Sequence, residues 1–318
     1  MIVFDAAAVH DGLDYPTCIA AVREAMIALS GGWTRQLPRS AMALGEGRAF
    51  AVMSGALATD GYFGGKLISV FGDPVHPGRT AHQGLVILFE GESGSPVCVA
   101  DAEQITAIRT AAASAAATDA LALPTARTAA ILGCGLQAET HIRALSYVRP
   151  LSSVRVWGRS WLRTAAFADR MSLDMNLAVI PAATAQEAVA DAEIICTVTA
   201  AHEPVLRGEW VAPGAHVNLV GSSGPDAVEG DDDLVRRARF FVESRASAQT
   251  GAAEFLRAKA AGLVDDGHLV AEIGEVYSGI IEGRSRPDAI TLYKSIGHVV
   301  QDLAAIIRLY ERAKAQRD

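Results

Sequence analysis

The chain has 318 residues, of which half are hydrophobic and 20% are charged. This composition excludes an intrinsically disordered protein, and the length suffices for two domains, each with its own core. Lys and Arg number 28 against 36 Asp and Glu, a net charge of −8, so neither a nucleic acid nor an anionic membrane is expected as a partner.

The cysteines and histidines give no sign of a metal site. Cys18, Cys98, Cys134 and Cys196 lie far apart without a CxxC pair, and the eight histidines show neither HxH nor HxxxH spacing. No apolar run is long enough to cross a membrane, and the N-terminal residues lack the basic start and apolar core of a secretory signal. We therefore expect a cytoplasmic protein with reduced thiols.

The first part of the chain is predicted to fold as helix, strands and helix. Apolar residues at helical spacing predict a first helix over 18–29 that ends at Gly31-Gly32. Apolar runs separated by Gly, Pro, Asp and Ser then predict strands at 49–53, 65–70, 84–89 and 96–100. An alanine-rich segment with helical period predicts a long, closely packed helix over 103–122.

The second part alternates strand and helix. Strands are predicted at 128–132, 153–157, 178–180, 193–198, 216–220 and 240–243, with helices at 136–147, 160–171 and 185–190. This alternation is typical of βαβ units, so we expect an α/β fold whose Rossmann-type, doubly wound parallel sheet occupies residues 123–289. Residues 1–122 are expected to form a discontinuous α+β domain for substrate binding and dimerisation. Residues 290–318, a strand at 290–293 and a helix over 295–315, are expected to complete it.

A glycine-rich turn follows the strand 128–132 and reads Gly133-Cys-Gly135-Leu-Gln-Ala138. Gly133 permits a tight turn, Gly135 lets the backbone approach a diphosphate, and Ala138 lets helix and strand pack closely. The diphosphate then accepts hydrogen bonds from the N–H groups at the helix start. The pattern predicts dinucleotide binding; the alternative is a glycine turn in an α/β fold that binds another ligand.

The end of the second strand of this fold distinguishes the two nicotinamide cofactors. An acid there binds the ribose hydroxyls of NAD, whereas an arginine accommodates the 2′-phosphate of NADP. The stretch here contains Arg159 and Ser160 and no acid. Because arginine gives forked, charge-assisted hydrogen bonds to phosphate, NADP(H) is favoured. NAD(H) stays possible if Arg159 is an ordinary surface residue.

Three cations lie among apolar residues in the first part of the chain. Arg39 follows Pro38, Lys66 interrupts an apolar strand, and Arg109 lies in the alanine-rich helix. Such long side chains usually extend to water, but together they suit a clamp for a carboxylate. A dry pocket would lower the pKa of Lys66, so that its ammonium could donate a proton near neutral pH.

A set of short motifs, in a fixed order, resembles the ornithine cyclodeaminase/mu-crystallin family over about residues 39–309. The motifs are Lys66, His76-Pro77, His82-Gln83-Gly84, Asp101-Ala102, Ile105-Thr106-x-x-Arg109-Thr110-Ala-Ala-Ala-Ser114, Gly133-x-Gly135-x-Gln137-Ala138, Pro213-Gly214-x-His216-x-Asn218-x-Val220-Gly221 and Lys294-Ser295-x-Gly297. The resemblance implies a homodimer with a Rossmann domain and an N-terminal domain for substrate binding and dimerisation.

By position, the resemblance implies that Arg39, Lys66 and Arg109 hold the substrate's carboxylate and reacting nitrogen. The residues expected to contact the cofactor are Gln83, Arg109, Thr110, Gly133, Gly135, Leu136, Gln137, Arg159, Ser160, Thr199, Val220, Gly221 and Ser295.

Family membership leaves several reactions open. The cyclodeaminases have an acid where this chain has Ser223, a glutamate where Ala51 is the matching residue, and an acid at the second strand end. All three are missing here, although Asp226 lies three residues beyond Ser223. The stretches around Arg159, Gly208–Gly214 and Val220–Asp226 are instead similar to the ketimine and Δ1-pyrroline-2-carboxylate reductases.

The expected function is therefore the NAD(P)H-dependent reduction of a cyclic imino acid, with Lys66 as the catalytic proton donor. Δ1-pyrroline-2-carboxylate or Δ1-piperideine-2-carboxylate would give L-proline or L-pipecolate. The alternatives are an NAD-dependent ornithine cyclodeaminase, another amino-acid dehydrogenase or imino-acid reductase of the family, and a crystallin-like protein that only binds its ligands.

Overall fold

A computed structural model describes residues 1–46, 48–57, 61–71, 82–224 and 227–316, apart from the side chain of His82. Packing of the backbone divides the chain into two compact units. The first unit comprises Met1–Thr110 and His298–Asp318, and the second comprises Ala111–Gly297. Within the described ranges, no helix is both long and apolar enough to cross a membrane.

The elements follow in chain order. Residues 1–121 form β1 (Ile2–Phe4), α1 (Ala6–Gly12), α2 (Tyr15–Ser30), β2 (Thr34–Gln36), β3 (Ser40–Gly45), β4 (Arg48–Leu57), β5 (Tyr62–Phe71), β6 (His82–Glu90), β7 (Pro96–Asp101) and α3 (Ala102–Leu121). Residues 128–260 form β8 (Thr128–Leu132), α4 (Leu136–Val148), β9 (Ser153–Trp157), α5 (Trp161–Met175), β10 (Ala178–Pro181), α6 (Ala185–Val189), β11 (Ile194–Thr197), β12 (His216–Leu219), α7 (Asp232–Arg237), β13 (Arg239–Val242), α8 (Arg245–Gly251) and α9 (Ala253–Ala260). The last elements are β14 (Leu269–Glu272), α10 (Ile273–Tyr277), β15 (Thr291–Lys294) and α11 (Val299–Ala315).

The first unit contains a seven-stranded sheet in the order β1-β7-β6-β5-β4-β2, with β3 also paired to β4. The four strands predicted there from apolar runs are confirmed and are longer than predicted. β4 and β5 pair along their full length, from Arg48 opposite Phe71 to Leu57 opposite Tyr62. The sequence missed β3 because all six of its residues are exposed, so it carries no alternation of buried and exposed side chains.

One face of this sheet is covered by the last helix. α11 packs against α2 and against β4, β5 and β6. The helix begins at Val299 rather than at the predicted residue 295, because Gly297 has a φ of +81°, which is incompatible with a right-handed helix. Its buried side chains bring polar residues as well as apolar ones into the core of the first unit.

The second unit contains an eight-stranded parallel sheet in the order β10-β9-β8-β11-β12-β15-β13-β14. All six strands predicted for this part of the chain are present, and β8 and β9 have the predicted bounds. This is the expected Rossmann-type, doubly wound architecture.

The placement of residues 290–294 needs correction. The sequence assigned them to the first domain together with the C-terminal helix. β15 instead lies between β12 and β13, with Thr291 opposite both His216 and Arg239. All four of its residues are buried, because a central strand of a parallel sheet is covered on both faces.

Candidate functional site

Lys66 lies in the middle of β5, with only 4% of its surface exposed. Its neighbours across the sheet are Met53 on β4 and Val86 on β6, both apolar. Arg109 on α3 is equally buried. A charge removed from water is costly unless it is paired, so two buried cations call for a carboxylate nearby.

The carboxylate of Asp302, on α11, joins these two cations. Arg109 Nε donates to Asp302 Oδ1 at 2.9 Å, and Lys66 Nζ donates to the same oxygen at 3.2 Å. Arg109 Nη1 also donates to Gln301 Oε1 at 2.8 Å, and Lys66 Nζ donates to Thr106 Oγ1 at 2.6 Å. These five residues form a cation cluster with two positive charges and one negative charge.

The environment of the cation cluster changes the pKa of its groups. Burial lowers the pKa of Lys66 from 10.5 to about 8; Asp302 opposes this change, while Arg109 and Arg39 add to it. Burial alone would raise the pKa of Asp302, but Arg109 and Lys66 lower it below its ordinary value. The cluster therefore holds an ammonium group that releases its proton close to neutral pH.

The other predicted residues of the first unit lie in different settings. Arg39 is exposed in the segment between β2 and β3, and its charge acts on Lys66. Gln83 is exposed on β6. Thr110 is buried on α3, and its hydroxyl has no hydrogen-bond partner among the described residues. His76 and Pro77 of the motif set lie outside the described residues.

The glycine-rich turn in the second unit has the geometry that a diphosphate needs. Gly133 has a φ of +133°, and a Cβ there would lie 2.8 Å from Val198. A Cβ on Gly135 would meet nothing within 4 Å, and α4 starts at the next residue without a side-chain cap. The first N–H groups of α4 are thus left for a ligand, and Leu136 and Gln137 lie in this first turn.

Gln137 and Ala138 support the same interpretation. The side-chain oxygen of Gln137 is buried and accepts no hydrogen bond from the described residues, which suits a group that a ligand completes. Ala138 is fully buried between helix and sheet, as the close packing of this turn requires. The residues of the turn therefore fit a dinucleotide.

Arg159 and Ser160 lie at the predicted place, directly after β9. Arg159 is exposed and makes no hydrogen bond or ion pair within the described part of the chain. Ser160 is the N-cap of α5 and accepts a hydrogen bond from the N–H of Arg163. Arg163 is also exposed, in the first turn of α5, and was missed by the sequence analysis.

The strand ends carrying Thr199 and Gly221 are held by a buried carboxylate that the sequence did not reveal. Glu229 accepts hydrogen bonds from Thr199 N and Thr199 Oγ1, both at 2.7 Å, and from Gly221 N at 2.6 Å. It also accepts from Thr197 Oγ1 at 2.7 Å. Burial raises the pKa of Glu229, and the hydroxyls of Thr197 and Thr199 oppose the rise. Glu229 thus holds in place Thr199 and Gly221, two residues that are predicted to contact the cofactor.

A second buried carboxylate and a lysine extend this network. Lys294 Nζ lies 2.8 Å from Glu254 Oε2, and both side chains are fully buried. Glu254 Oε1 accepts from Ser222 Oγ at 2.6 Å and from the backbone N–H of Glu229 at 3.0 Å. The sequence signal that could have indicated this pair is Lys294 itself, because a lysine in an apolar strand is rarely buried without an acid as its partner.

Val220 is buried after β12, and Ser295 is buried after β15. The hydroxyl of Ser295 donates to Glu243 Oε1 at 2.9 Å, so it is held inside the second unit.

The positions that distinguish the cyclodeaminases carry no described carboxylate. Ala51 is buried on β4, opposite Ile68. Ser223 is exposed after β12. Asp226 lies outside the described residues. No group of His, Cys, Asp and Glu side chains within the described ranges could hold a metal ion. The roles of the predicted site residues stay predictions.

Comparisons with known proteins identify the relatives of this chain. A model of the ornithine cyclodeaminase/mu-crystallin family matches residues 2–317. The chain is 36% identical over 281 residues to the ketimine reductase mu-crystallin of Mus musculus, which covers 88% of this chain and 86% of the mouse protein.

Solved structures agree. The Δ1-pyrroline-2-carboxylate reductase of Thermococcus litoralis, solved with NADH and L-proline, has a TM-score of 0.96 at 27% identity, over 100% of this chain and 98% of that one. An archaeal alanine dehydrogenase dimer with bound NAD has a TM-score of 0.93 at 27% identity, over 100% and 97%. The match over nearly the whole length confirms what the motifs indicate: the chain belongs to the ornithine cyclodeaminase/mu-crystallin family.

Proposed function

We propose that this protein reduces the C=N bond of a cyclic imino acid with NADPH and releases the L-amino acid. The observation that supports this proposal most directly is the cation cluster. In it a buried lysine of lowered pKa lies beside a buried arginine, and the cluster as a whole has an excess of positive charge. Membership of the family makes the protein a nicotinamide-dependent oxidoreductase that acts on carbon–nitrogen bonds. The named substrates, Δ1-pyrroline-2-carboxylate and Δ1-piperideine-2-carboxylate, are the finer part of the proposal.

The cation cluster suits a substrate with one carboxylate. Lys66 and Arg109 carry two positive charges against the single negative charge of Asp302, and Arg39 adds a further cation. Arg109 uses Nε and Nη1 for Asp302 and Gln301, and its Nη2 makes no hydrogen bond to the described residues. A substrate carboxylate bound to Arg109 and Arg39 would balance the net charge of +1 that Lys66, Arg109 and Asp302 carry together.

Lys66 supplies the proton that the reaction consumes. Its ammonium donates a proton to the imine nitrogen, which becomes an iminium and a better hydride acceptor. NADPH, when bound, would supply the hydride that the adjacent carbon accepts. The amine of Lys66 then takes a proton from solvent, so each turnover consumes one proton and one hydride equivalent.

The glycine-rich turn and the start of α5 would hold the cofactor. The N–H groups of Leu136 and Gln137 suit the diphosphate, and Gly135 leaves the space for it. Arg159 and Arg163 place two exposed cations at the start of α5, where Ser160 is the N-cap. This pair is the support for NADPH over NADH, because a 2′-phosphate adds about two negative charges that only NADPH carries.

A second copy of this chain is the proposed partner. On the first sheet, α11 covers the face of Lys66, Val86 and Leu88, whereas Leu67 and Leu85 on the opposite face are exposed. An exposed apolar sheet face of this kind is typical of an interface between subunits. A cytoplasmic location stays a prediction, supported by the four free cysteines.

The test is substrate-dependent NADPH oxidation. Purified protein would be given Δ1-pyrroline-2-carboxylate or Δ1-piperideine-2-carboxylate with NADPH, and in parallel L-ornithine with NAD. We expect NADPH oxidation with formation of L-proline or L-pipecolate, and no ammonia from ornithine. Ammonia and proline from ornithine would contradict the proposal and would show that another acid replaces Ser223.

A further inference from the structure

Asp302 is a buried acid within the apolar side of α11. It is fully inaccessible to solvent, and 236 residues separate it from Lys66 along the chain. Its Oδ1 is shared by Lys66 and Arg109, while its Oδ2 is buried and accepts no hydrogen bond from the described residues. Burying an acid in this way is unfavourable unless its charge stabilises something else.

The charges around Lys66 explain what Asp302 stabilises. Arg109 faces Lys66 from α3, and Arg39 acts on it from the segment between β2 and β3. The strands on either side contribute only Met53 and Val86 opposite Lys66. Cys18 on α2 lies close to Arg109 and Asp302, but burial raises its pKa to about 12, so it is uncharged. Among the described residues, Asp302 is therefore the only carboxylate in contact with Lys66.

We propose that Asp302 is a positioning residue for the reduction: its charge keeps Lys66 in the ammonium form and holds that ammonium beside the guanidinium of Arg109. The proposal rests on the proposed function, because it assigns the retained proton to the imine nitrogen. Without Asp302, burial and two neighbouring arginines would all favour the neutral amine of Lys66. A neutral amine has no proton to give at the start of the reaction.

The effect of Asp302 comes from its charge, and the structure allows charge and shape to be separated. Thr106 Oγ1 donates to the carbonyl of Ala102 at 2.5 Å, so it accepts the hydrogen bond from Lys66 Nζ. This second contact persists in Asp302→Asn, which keeps the shape of the side chain and removes its charge. Thr106→Val is the matched control, because it removes a neutral contact of Lys66 and keeps the carboxylate.

The chain has only four lysines, which makes Lys66 directly observable. Protein labelled with ¹³C at the lysine Cε would give signals from Lys66, Lys259, Lys294 and Lys314, and Lys66→Arg would assign the first. We expect the Lys66 signal to titrate near pH 8 in the native protein. In Asp302→Asn it should titrate at least about one pH unit lower, and in Thr106→Val the displacement should be smaller.

The kinetic readout follows from the same displacement. The pH at which kcat/KM declines on the basic side should move down in Asp302→Asn by the same amount as the Lys66 titration. A displacement of one unit lowers the protonated fraction at pH 7.5 roughly threefold. Substrate titration is common to both proteins and cancels in the comparison. An unchanged NADPH affinity would separate this effect from a general loss of structure.

The reciprocal experiment does not require that Asp302→Asn folds. Because coupling between two titrating groups acts equally in both directions, Lys66→Met should raise the pH at which the ¹³Cγ signal of Asp302 titrates. An unchanged Lys66 titration in folded Asp302→Asn, or an unchanged Asp302 titration in Lys66→Met, would overturn the proposal.

The two proposals fail separately. If the native protein does not reduce cyclic imino acids but the lysine signal moves, the proposed function is wrong and the electrostatic role of Asp302 stands. If reduction is observed and the signal does not move, Asp302 is a purely structural residue and the proposed function stands.

Discussion

Lys66 is a cation in the interior of β5. The residues opposite it on the two neighbouring strands, Met53 and Val86, are apolar. Its setting combines loss of solvation with one attractive and two repulsive charges, and the result is a pKa of about 8 rather than 10.5. A group of this kind is almost fully protonated at pH 6 and almost fully deprotonated at pH 10. The chemistry proposed here uses the protonated form, which fixes the direction of the pH dependence.

The first prediction concerns that pH dependence. Because the reaction needs the ammonium of Lys66, kcat/KM for imino-acid reduction should be constant below about pH 7 and fall tenfold per pH unit above about pH 8. Initial rates from pH 5.5 to 10 would measure it, with NADPH affinity followed in parallel. A rate that rises through pH 8 would mean that the neutral amine is the active form.

Removing the amine is the second prediction. Lys66→Met has a similar length and no charge, and it should lower kcat by about 10²–10⁴-fold because the proton donor is lost. The variant should fold and bind NADPH with unchanged affinity, as measured by quenching of protein fluorescence. Lys66→Arg is the companion variant, since it keeps the charge but holds its proton too tightly. Near-native turnover in Lys66→Met would remove Lys66 from the mechanism.

Arg159 carries the third prediction. Arg159→Ala should raise KM for NADPH by about tenfold and leave KM for NADH unchanged, because only the 2′-phosphate loses a charged partner. Steady-state kinetics with both cofactors would measure the two values. Arg155, on the preceding strand, is a useful control because its guanidinium is engaged by the carbonyl of Ala190. Equal losses with both cofactors would show that Arg159 does not read the 2′-phosphate.

At the scale of elements, the turn between β8 and α4 shows two glycines with different requirements. Gly133 is needed by the fold, since its φ is +133° and its surroundings leave no room for a Cβ. Gly135 has a φ of −106°, and a Cβ on it would enter open space, so the fold itself does not need a glycine there. We expect that a glycine is needed at position 135 because the bound ligand occupies the space that a Cβ would take.

The fourth prediction compares these two glycines. Gly133→Ala should lower the free energy of unfolding by about 1–3 kcal/mol, through backbone strain and contact with Val198. Gly135→Ala should fold with native stability and weaken NADPH binding at least tenfold, because its methyl group would occupy the space of the diphosphate. Urea unfolding and fluorescence titration of NADPH would separate the effects. Native NADPH affinity in Gly135→Ala would contradict the proposed position of the diphosphate.

Regular elements follow from the sequence where they are buried and fail to follow where they are not. In the parallel sheet, β8 is almost entirely buried and apolar, and β9 alternates half-buried and buried residues; both strands were predicted to the residue. β3 is exposed throughout and was missed, since its pairing with β4 leaves no pattern in its own side chains. The periodicity of apolar residues therefore indicates which side chains are buried. It indicates strand pairing only where the paired strand also buries side chains.

At the scale of the whole molecule, the fifth prediction concerns assembly. Leu85 is 51% exposed on the uncovered face of the first sheet, and Leu85→Asp should convert the expected homodimer to a monomer by placing a charge in an apolar interface. Light scattering after size exclusion would measure the mass. Leu173→Asp is the control, because Leu173 is 85% exposed on α5 of the second unit and is not part of this sheet, and it should leave the mass unchanged. A Leu85→Asp protein with the native mass would place the interface elsewhere.

The sequence by itself determined the α/β class, the strands of the parallel sheet other than β14, the helices α4 to α6, the glycine-rich turn and the cations Lys66 and Arg109. These follow from local spacing, which periodicity and turn chemistry report directly. The tertiary structure decided where β15 lies and which acids accompany the buried cations. Asp302 meets Arg109 across 193 residues of chain, and Glu229 meets Thr197 across 32. Pairing at such separations depends on how elements pack, and a lone buried acid leaves no periodic signal in its own segment.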